Sequence, residues 1–311
     1  MTETPRRLQL ALGIFALALA AVPLTGDRFW TRFVAQVMIA AIFAMSLDLL
    51  VGFTGLVSLA HAAFFGLSGY LLAGLTNQLG LVQLAATLPL CLLGAAAAAA
   101  VIGWLSLRTA GVYFIMVTLA FAQMLFYLFN DSPHFGGSDG LYVSQRPRLG
   151  PFDLGNRTAV YLAVWLALIA VYALLARMLD APFGRALIGI RANEPRMRTL
   201  GYATRRYKLA AFVIAGTLAG GAGYLNAALD GFVNPAHLGW RESGLVLMTV
   251  LLGGKGTLYG PALGAFLLAF LEYGGERLTD HWLAIVGAVV IAVVLFLPGG
   301  VAGLLQRLAR A

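Results

Sequence analysis

Ionisable side chains are scarce in the apolar runs of this 311-residue chain, so the two that occur there, Asp48 and His61, are where chemistry is sought first. A charge at membrane depth is expensive, and an ionisable residue inside an apolar run is by default a functional candidate. Each also has a plainer reading. His61 can be a neutral imidazole bonding a carbonyl freed by the glycines before it, and Asp48, near one end of its helix, can serve packing or an interface. Ser58, Thr118 and Gln123 are polar neighbours that could line a path with them. Thr118 and Gln123 are five residues apart and do not share one helix face, and hydrogen bonding between helices accounts for each equally well. Catalysis and metal binding find less support. His61, His134, His237 and His281 are too scattered for an HExxH-type pattern. The lone Cys91 offers neither a disulfide framework nor a thiolate metal site. Gly254-Lys255-Gly256 lacks the Ser or Thr and the upstream spacing of a Walker A loop, so active transport would draw its energy from another chain.

The elements that must position these residues follow from composition. Hydrophobic residues make up 60% and charged ones 11% of the chain, and the mean hydropathy is +0.86. A water-soluble domain of this size does not tolerate those values. The chain reads as one all-α polytopic membrane domain over 1–311, with about ten transmembrane helices at about 20 apolar residues each. The runs lie near 8–24, 33–51, 60–77, 84–107, 111–130, 158–178, 208–229, 242–254, 258–273 and 282–297. The first also fits a signal peptide, but it is read as a retained helix because the topology balances only with it. With the N-terminus inside, Arg6, Arg7, Arg108, the 177–208 segment, Lys255, Arg307 and Arg310 all fall on the cytoplasmic side, as the positive-inside rule requires. That reading is N-in and C-in, and it explains the net charge of +8 without nucleic acid as a partner. The outer connections 230–242 and 272–281 then carry Asp230, Glu242, Glu272, Glu276 and Asp280, and the long outer loop 131–157 reads as an ordered cap or docking surface.

Two stretches depart from plain spans. Residues 52–70, GFTGLVSLAHAAFFGLSGY, are too apolar for a water loop and too broken by glycine for one regular helix. Irregular backbone at membrane depth is allowed only under protein or beside water, so a broken or re-entrant piece is expected near 52–59. Ser58, Ala62 and Gly66 would form a small-residue stripe on the next helix. Small residues elsewhere, namely Gly216, Gly220 and the series Gly256, Gly260, Gly264, predict close helix packing, whereas the Ala95–Ala100 run reads more readily as filler. The other stretch is Asp180–Lys208, and from Arg177 to Lys208 eight basic residues stand against Asp180 and Glu194. Asp180 can cap a helix starting at Pro182, Asn193 a second starting at Glu194, and Gly201 can end it. Two short helices along the membrane result, with Leu187 and Ile190 on the apolar face and Arg185, Arg191, Arg196 and Arg198 in water or at lipid phosphates.

FGRALIGIRANEPRMRTLGYATRRYKLAAFVIAGTLAGGAGYL, with GFTGLVSLAHAAFFGLSGY, GVYFIMVTLAFAQ, GGSDGL and LLGGKGTLYGPALGA in this order, closely resembles the M-type permease subunit of branched-chain amino acid ABC importers. The likeness runs from about residue 40 to residue 300. It implies a cytoplasmic coupling loop, here Phe183 to Gly201, that docks in an ATPase groove through Phe183, Gly184, Arg185, Ile190, Arg191, Asn193, Glu194 and Gly201. The resemblance also implies a second, homologous permease subunit, two ATPase subunits holding ATP and Mg, and an extracytoplasmic binding protein, in a bacterial-type inner membrane. Asp48 stands where the family commonly has Asn, Leu56 where Gln is frequent, and Ala60 where Gly usually precedes His. Relatives in the family also move urea, short amides and other small polar solutes. From the residues alone, an ion-coupled secondary transporter stays open, although such pathways favour paired intramembrane charges that are not evident here.

Overall fold

The computed structural model describes residues 6–149, 152–278, 281–297 and 299–310. Residues 1–5 of the lead segment, 150–151 of the long loop and Asp280 lie outside them. Each predicted apolar run falls on a helix. In order these are α1 (Arg6–Ala21), α2 (Arg28–Asp48), α3 (His61–Gln78), α4 (Leu84–Ser106), α5 (Val112–Asn130) and α6 (Arg157–Asp180). The short α7 (Pro182–Ala192) and α8 (Glu194–Thr199) follow, then α9 (Thr204–Asp230), α10 (Trp240–Gly253), α11 (Tyr259–Leu278), α12 (Trp282–Phe296) and α13 (Gly300–Arg310). Among the described residues five helical stretches are long and apolar enough to cross a membrane: 28–54, 84–106, 112–130, 157–180 and 204–230. Helices α12 and α13, bent by 52°, would make a sixth if taken as one span. The other runs fall short because α3 begins at a histidine and ends in Asn77-Gln78, α10 has 14 residues, and α11 carries Glu272, Glu276 and Arg277.

Helix α2 is the central post. Asp27 caps it by accepting from the Phe29 amide at 2.9 Å, and from Ala41 to Asp48 it is wholly buried, the helix packing against α6, α9, α10 and α11. Around it α3, α4 and α9 form the tightest layer, and small residues set the spacing. A Cβ on Gly216 would meet the Ala99 methyl, one on Gly220 the Ala95 methyl, and one on Gly223 the Phe65 carbonyl. Ala95 and Ala99 are therefore the partners of the glycine stripe, not filler. Their four-residue spacing puts both methyls on the α9 side, where any larger side chain would push the α4 and α9 backbones apart, and lipid cannot force them back together. The Gly256–Gly260–Gly264 series does not form one stripe, because Gly256 lies in the turn before α11 with φ +79°. Gly264 instead approaches the Thr249 carbonyl of α10.

Residues 131–149 and 152–156 are folded onto the helix ends. Strand β1 (Leu141–Tyr142) pairs antiparallel with β4 (Phe232–Val233), and β2 (Arg148–Leu149) with β3 (Phe152–Asp153). Asn77, at the end of α3, donates to the Tyr142 carbonyl at 2.7 Å and accepts from the Ser144 amide and hydroxyl at 2.9 and 2.6 Å. On the same face α1 is tied to α6. Pro23 cannot donate to the Leu19 carbonyl, and the Tyr161 hydroxyl takes the missing place at 2.5 Å, with Trp165 Nε1 donating to Ala16 one turn away at 2.8 Å.

Candidate functional site

The break in the bundle begins as a π-helical turn, Leu49–Thr54, that continues α2. Widening the turn shifts the hydrogen-bond ladder and releases carbonyls. Gly55, at φ +74°, closes it, and the amides of Gly55 and Leu56 both return to the Leu50 carbonyl. Residues 55–60 then run without regular structure to α3. The break thus covers 49–60, slightly wider than the sequence suggested. Ser58 lies in the irregular piece and not on α3, so the expected Ser58–Ala62–Gly66 stripe on one helix does not form; a Cβ on Gly66 would meet Leu238 and the His237 backbone.

Because α3 starts inside the protein, its first amides have no water to bond. Hydroxyls replace it. Thr118 Oγ1 accepts from the Leu59 amide at 3.2 Å, Ser58 Oγ from the Ala60 amide at 3.3 Å, and Ser243 Oγ of α10 from the Ala62 amide at 2.9 Å. His61 sits among them, fully buried and stacked on Phe43 at 5.4 Å. Ser46 Oγ donates to the Phe43 carbonyl at 2.7 Å, which leaves it to accept from His61 Nε2 at 2.8 Å. The imidazole therefore bonds a serine rather than a freed carbonyl, and Nδ1 has no partner among the described residues.

Asp48, also fully buried, precedes the π-helical turn. Its Oδ1 accepts from the Gly256 amide at 2.8 Å, linking α2 to the turn between α10 and α11, while Oδ2 has no hydrogen-bond partner among the described residues. A Cβ at Gly52 would overlap both Asp48 Oδ1 and the Gly256 nitrogen, so only glycine lets this contact close.

The basic segment forms the two short helices expected, with one difference at its start. Asp180 is the last residue of α6, and α7 begins from Ala181 without a side-chain cap. Gly184 lets α7 turn tightly, since a Cβ there would strike the Leu179 backbone. Phe183 stacks on Tyr207 of α9 at 5.7 Å, and Leu187 and Ile190 are buried. Arg185 stays exposed. Asn193 caps α8 by accepting from the Arg196 amide at 3.0 Å. Glu194 gathers three donors, Arg198 Nη2 at 2.7 Å, Thr204 Oγ1 at 3.1 Å and Lys208 Nζ, which fasten α8 to α9. Burial alone would raise the Glu194 carboxyl, but the hydrogen bonds from Lys208, Arg198 and Thr204 outweigh it and hold the group below its ordinary value. Gly201, at φ +88°, ends the pair.

Arg191 is exposed, as expected, but its guanidinium also reaches inward. Its Nη1 donates to the Gly52 carbonyl, one of those released by the π-helical turn. A single guanidinium thus ties α7 to the broken segment, four residues from Asp48 and directly beside the Gly256 turn. Asp48, Gly52, Arg191 and Gly256 form one cluster, whereas Ser58, His61 and Thr118 form a second with Ser46 and Ser243. Gln123 joins neither and is half-buried further along α5. Ser46 and Ser243 carry no signal in the sequence and Gly256 stands out only within a glycine series, because the cluster partners of each lie 15 to 208 positions away. Among the described residues no group of three His, Cys, Asp or Glu could hold a metal ion. The arrangement holds irregular backbone in place by hydrogen bonds and ties it to α7 through Arg191.

A family model described as "Branched-chain amino acid transport system / permease component" matches residues 29–295. The high-affinity branched-chain amino acid transport system permease protein LivM of Escherichia coli (strain K12) is 30% identical, over 93% of this chain and 74% of its own length. The ribose import permease protein RbsC of the same strain is 26% identical over 91% of each chain. The autoinducer 2 import system permease protein LsrC of Klebsiella pneumoniae is 36% identical over 47% of this chain and 45% of its own. No solved structure matches the chain. With helices that fit a multi-pass membrane protein and a family match over most of its length, this chain belongs to the family of permease components of branched-chain amino acid transport systems.

Proposed function

We propose that the chain is the transmembrane subunit of an ABC importer that carries branched-chain amino acids, or related small polar solutes such as urea or amides, into the cytoplasm. Its ten apolar helices are the transmembrane region, the N- and C-termini lie in the cytoplasm, and 131–157 faces outward. ATP and Mg belong to two separate ATPase subunits, and a homologous permease subunit and an extracytoplasmic binding protein complete the complex. The ATPase docks on α7 and α8. The observation that carries this reading is the Arg191–Gly52 hydrogen bond, which would pass a push on α7 straight into the broken segment at membrane depth. The exposed side of the two short helices supports it further, since Ile188, Leu200 and Tyr202 are 39%, 65% and 42% exposed among arginines. Apolar side chains ringed by Arg are what a protein partner would bury. The relatives named for ribose and autoinducer 2 import support a scaffold shared by several cargoes, so the substrate is best read from the partner binding protein.

The test is uptake by the reassembled complex in liposomes. Leucine accumulation that requires ATP, and that is lost in Ile188→Asp or Leu200→Asp while the chain still inserts, is the expected result. Uptake by this chain without the ATPase, collapsing with an uncoupler at constant ATP, would refute it and favour ion coupling.

A further inference from the structure

The face opposite α7 holds a cavity of about 360 Å³ where α2, α6 and the end of α9 meet, and four arginines line it: Arg28, Arg32, Arg146 and Arg157. The neutralising charge there is small. Asp230 pairs with Arg32 at 2.7 Å, and Gln36 shares the same carboxylate oxygen at 3.4 Å. Asp27, just before α2, is engaged by the Phe29 amide. Arg146 spends its guanidinium on two neutral carbonyls, Leu229 at 3.2 Å and Gly155 at 3.5 Å. Arg28 and Arg157 have neither an ion pair nor a side-chain hydrogen bond among the described residues. Among the described residues three positive charges around one cavity are left without an anion, two of them, Arg28 and Arg157, at the first turns of α2 and α6, whose helix dipoles add to the positive potential.

The depth of this cavity points to its occupant. Phe29, which lines it, belongs to an aromatic cluster with Trp30 and Phe33 of α2 and Phe270 and Tyr273 of α11, the ring centroids 5.5–6.5 Å apart. Arg277 lies over Tyr273 at 4.3 Å. An aromatic cluster with a cation above it marks the membrane–water interface, where lipid phosphates lie. Guanidinium forks bind phosphate oxygens in pairs and with a definite orientation. We infer that this cavity is a binding site for the phosphate of an anionic phospholipid in the leaflet opposite α7, which pins together the ends of α2, α6 and α9 that lie far from α7. The site needs no assumption about cargo or about which face is external.

The experiment uses the full chain in a mild detergent, with phosphatidylglycerol, phosphatidylcholine or inorganic phosphate added at matched concentrations, read by native mass spectrometry and thermal unfolding. Retention of phosphatidylglycerol over phosphatidylcholine, with a higher unfolding temperature, is expected. The double variant Arg28→Gln/Arg157→Gln alters two unpaired surface arginines, so its lipid-free unfolding temperature should match that of the parent. Its retention of phosphatidylglycerol should fall about 25-fold, at about fivefold for each basic residue removed. Equal retention by parent and variant would overturn the site. Full displacement of the lipid by inorganic phosphate at the same concentration would overturn the lipid as occupant, as would stabilisation by an acidic partner protein with no preference among lipids.

Discussion

Arg191→Ala separates the short helices from the broken segment at one atom. The guanidinium donates to the buried Gly52 carbonyl, and a hydrogen bond from a charged donor contributes about 1.5–3 kcal/mol net. Arg191 is an exposed residue, so the lower half of that range applies, about 1.5–2 kcal/mol. The truncation leaves the carbonyl without a donor in a turn whose own amides already serve Leu50, and it removes the positive charge nearest Asp48. The free energy of opening the π-helical turn should fall by that amount, so the protected amides of Gly55 and Leu56 should exchange about 10- to 30-fold faster. Hydrogen exchange by mass spectrometry on the assembled complex reads this directly, with peptides of α9 as an internal control. In the same preparation ATP hydrolysis should continue while solute moved per ATP drops, and Arg191→Lys, with a single compact donor, should recover some of both readouts. Unchanged exchange at 49–56 together with unchanged transport per ATP would refute the link.

Three further outcomes follow from the same geometry. The Glu194 carboxyl is held below its ordinary value of 4.5, so its stabilisation is complete above that pH and is lost as pH falls through the lowered value. Exchange protection across 194–204 should stay level from neutral pH to about 4.5 and fall below it, and Glu194→Gln should give a flat, lower profile; a wild-type profile equally flat would contradict this. Gly52→Ala should cost about 1–3 kcal/mol by overpacking against Asp48 and Gly256, while Gly74→Ala in α3, with nothing within 4 Å of its added Cβ, should be neutral or gain up to about 1 kcal/mol; unfolding temperatures in detergent distinguish the two, and equal shifts would count against the Gly52 contact. Ser243→Ala leaves the Ala62 amide buried without an acceptor and should cost about 1–3 kcal/mol, with Ser243→Thr restoring it; a thermal shift of Ser243→Ala indistinguishable from zero would mean that another group already serves that amide.

The apolar helices, the break and the paired short helices were legible because each depends on neighbours in the chain, although only five or six of those helices are long and apolar enough to cross a membrane. Apolar runs, the glycines of 52–55, the Asn193 cap and the left-handed Gly201 are local signals, and each appears at or near its expected place. The Asp180 cap failed for a local reason too: α6 keeps its helical register through Asp180, and Pro182 can start α7 without a capping side chain. What could not be read were pairings across the fold. The Ala95–Ala100 run has no amphipathic pattern, and only the approach of α9 gives Ala95 and Ala99 their role. Arg191 looks like any basic residue of an interfacial helix until the π-helical turn supplies a carbonyl for it.

The two clusters divide the work physically. Around His61, Ser46, Ser58, Thr118 and Ser243 serve backbone amides or the imidazole, so this end of the break is held by groups from α2, α5 and α10 at once. Around Asp48 one carboxylate oxygen has no hydrogen-bond partner among the described residues, as His61 Nδ1 has none, and the contact to α7 depends on a single arginine. The start of α3 is held by hydroxyls of the break itself, α5 and α10, whereas the break meets α7 through the single Arg191–Gly52 hydrogen bond. Under the proposed coupling, that contact is where a push from the short helices would enter the break.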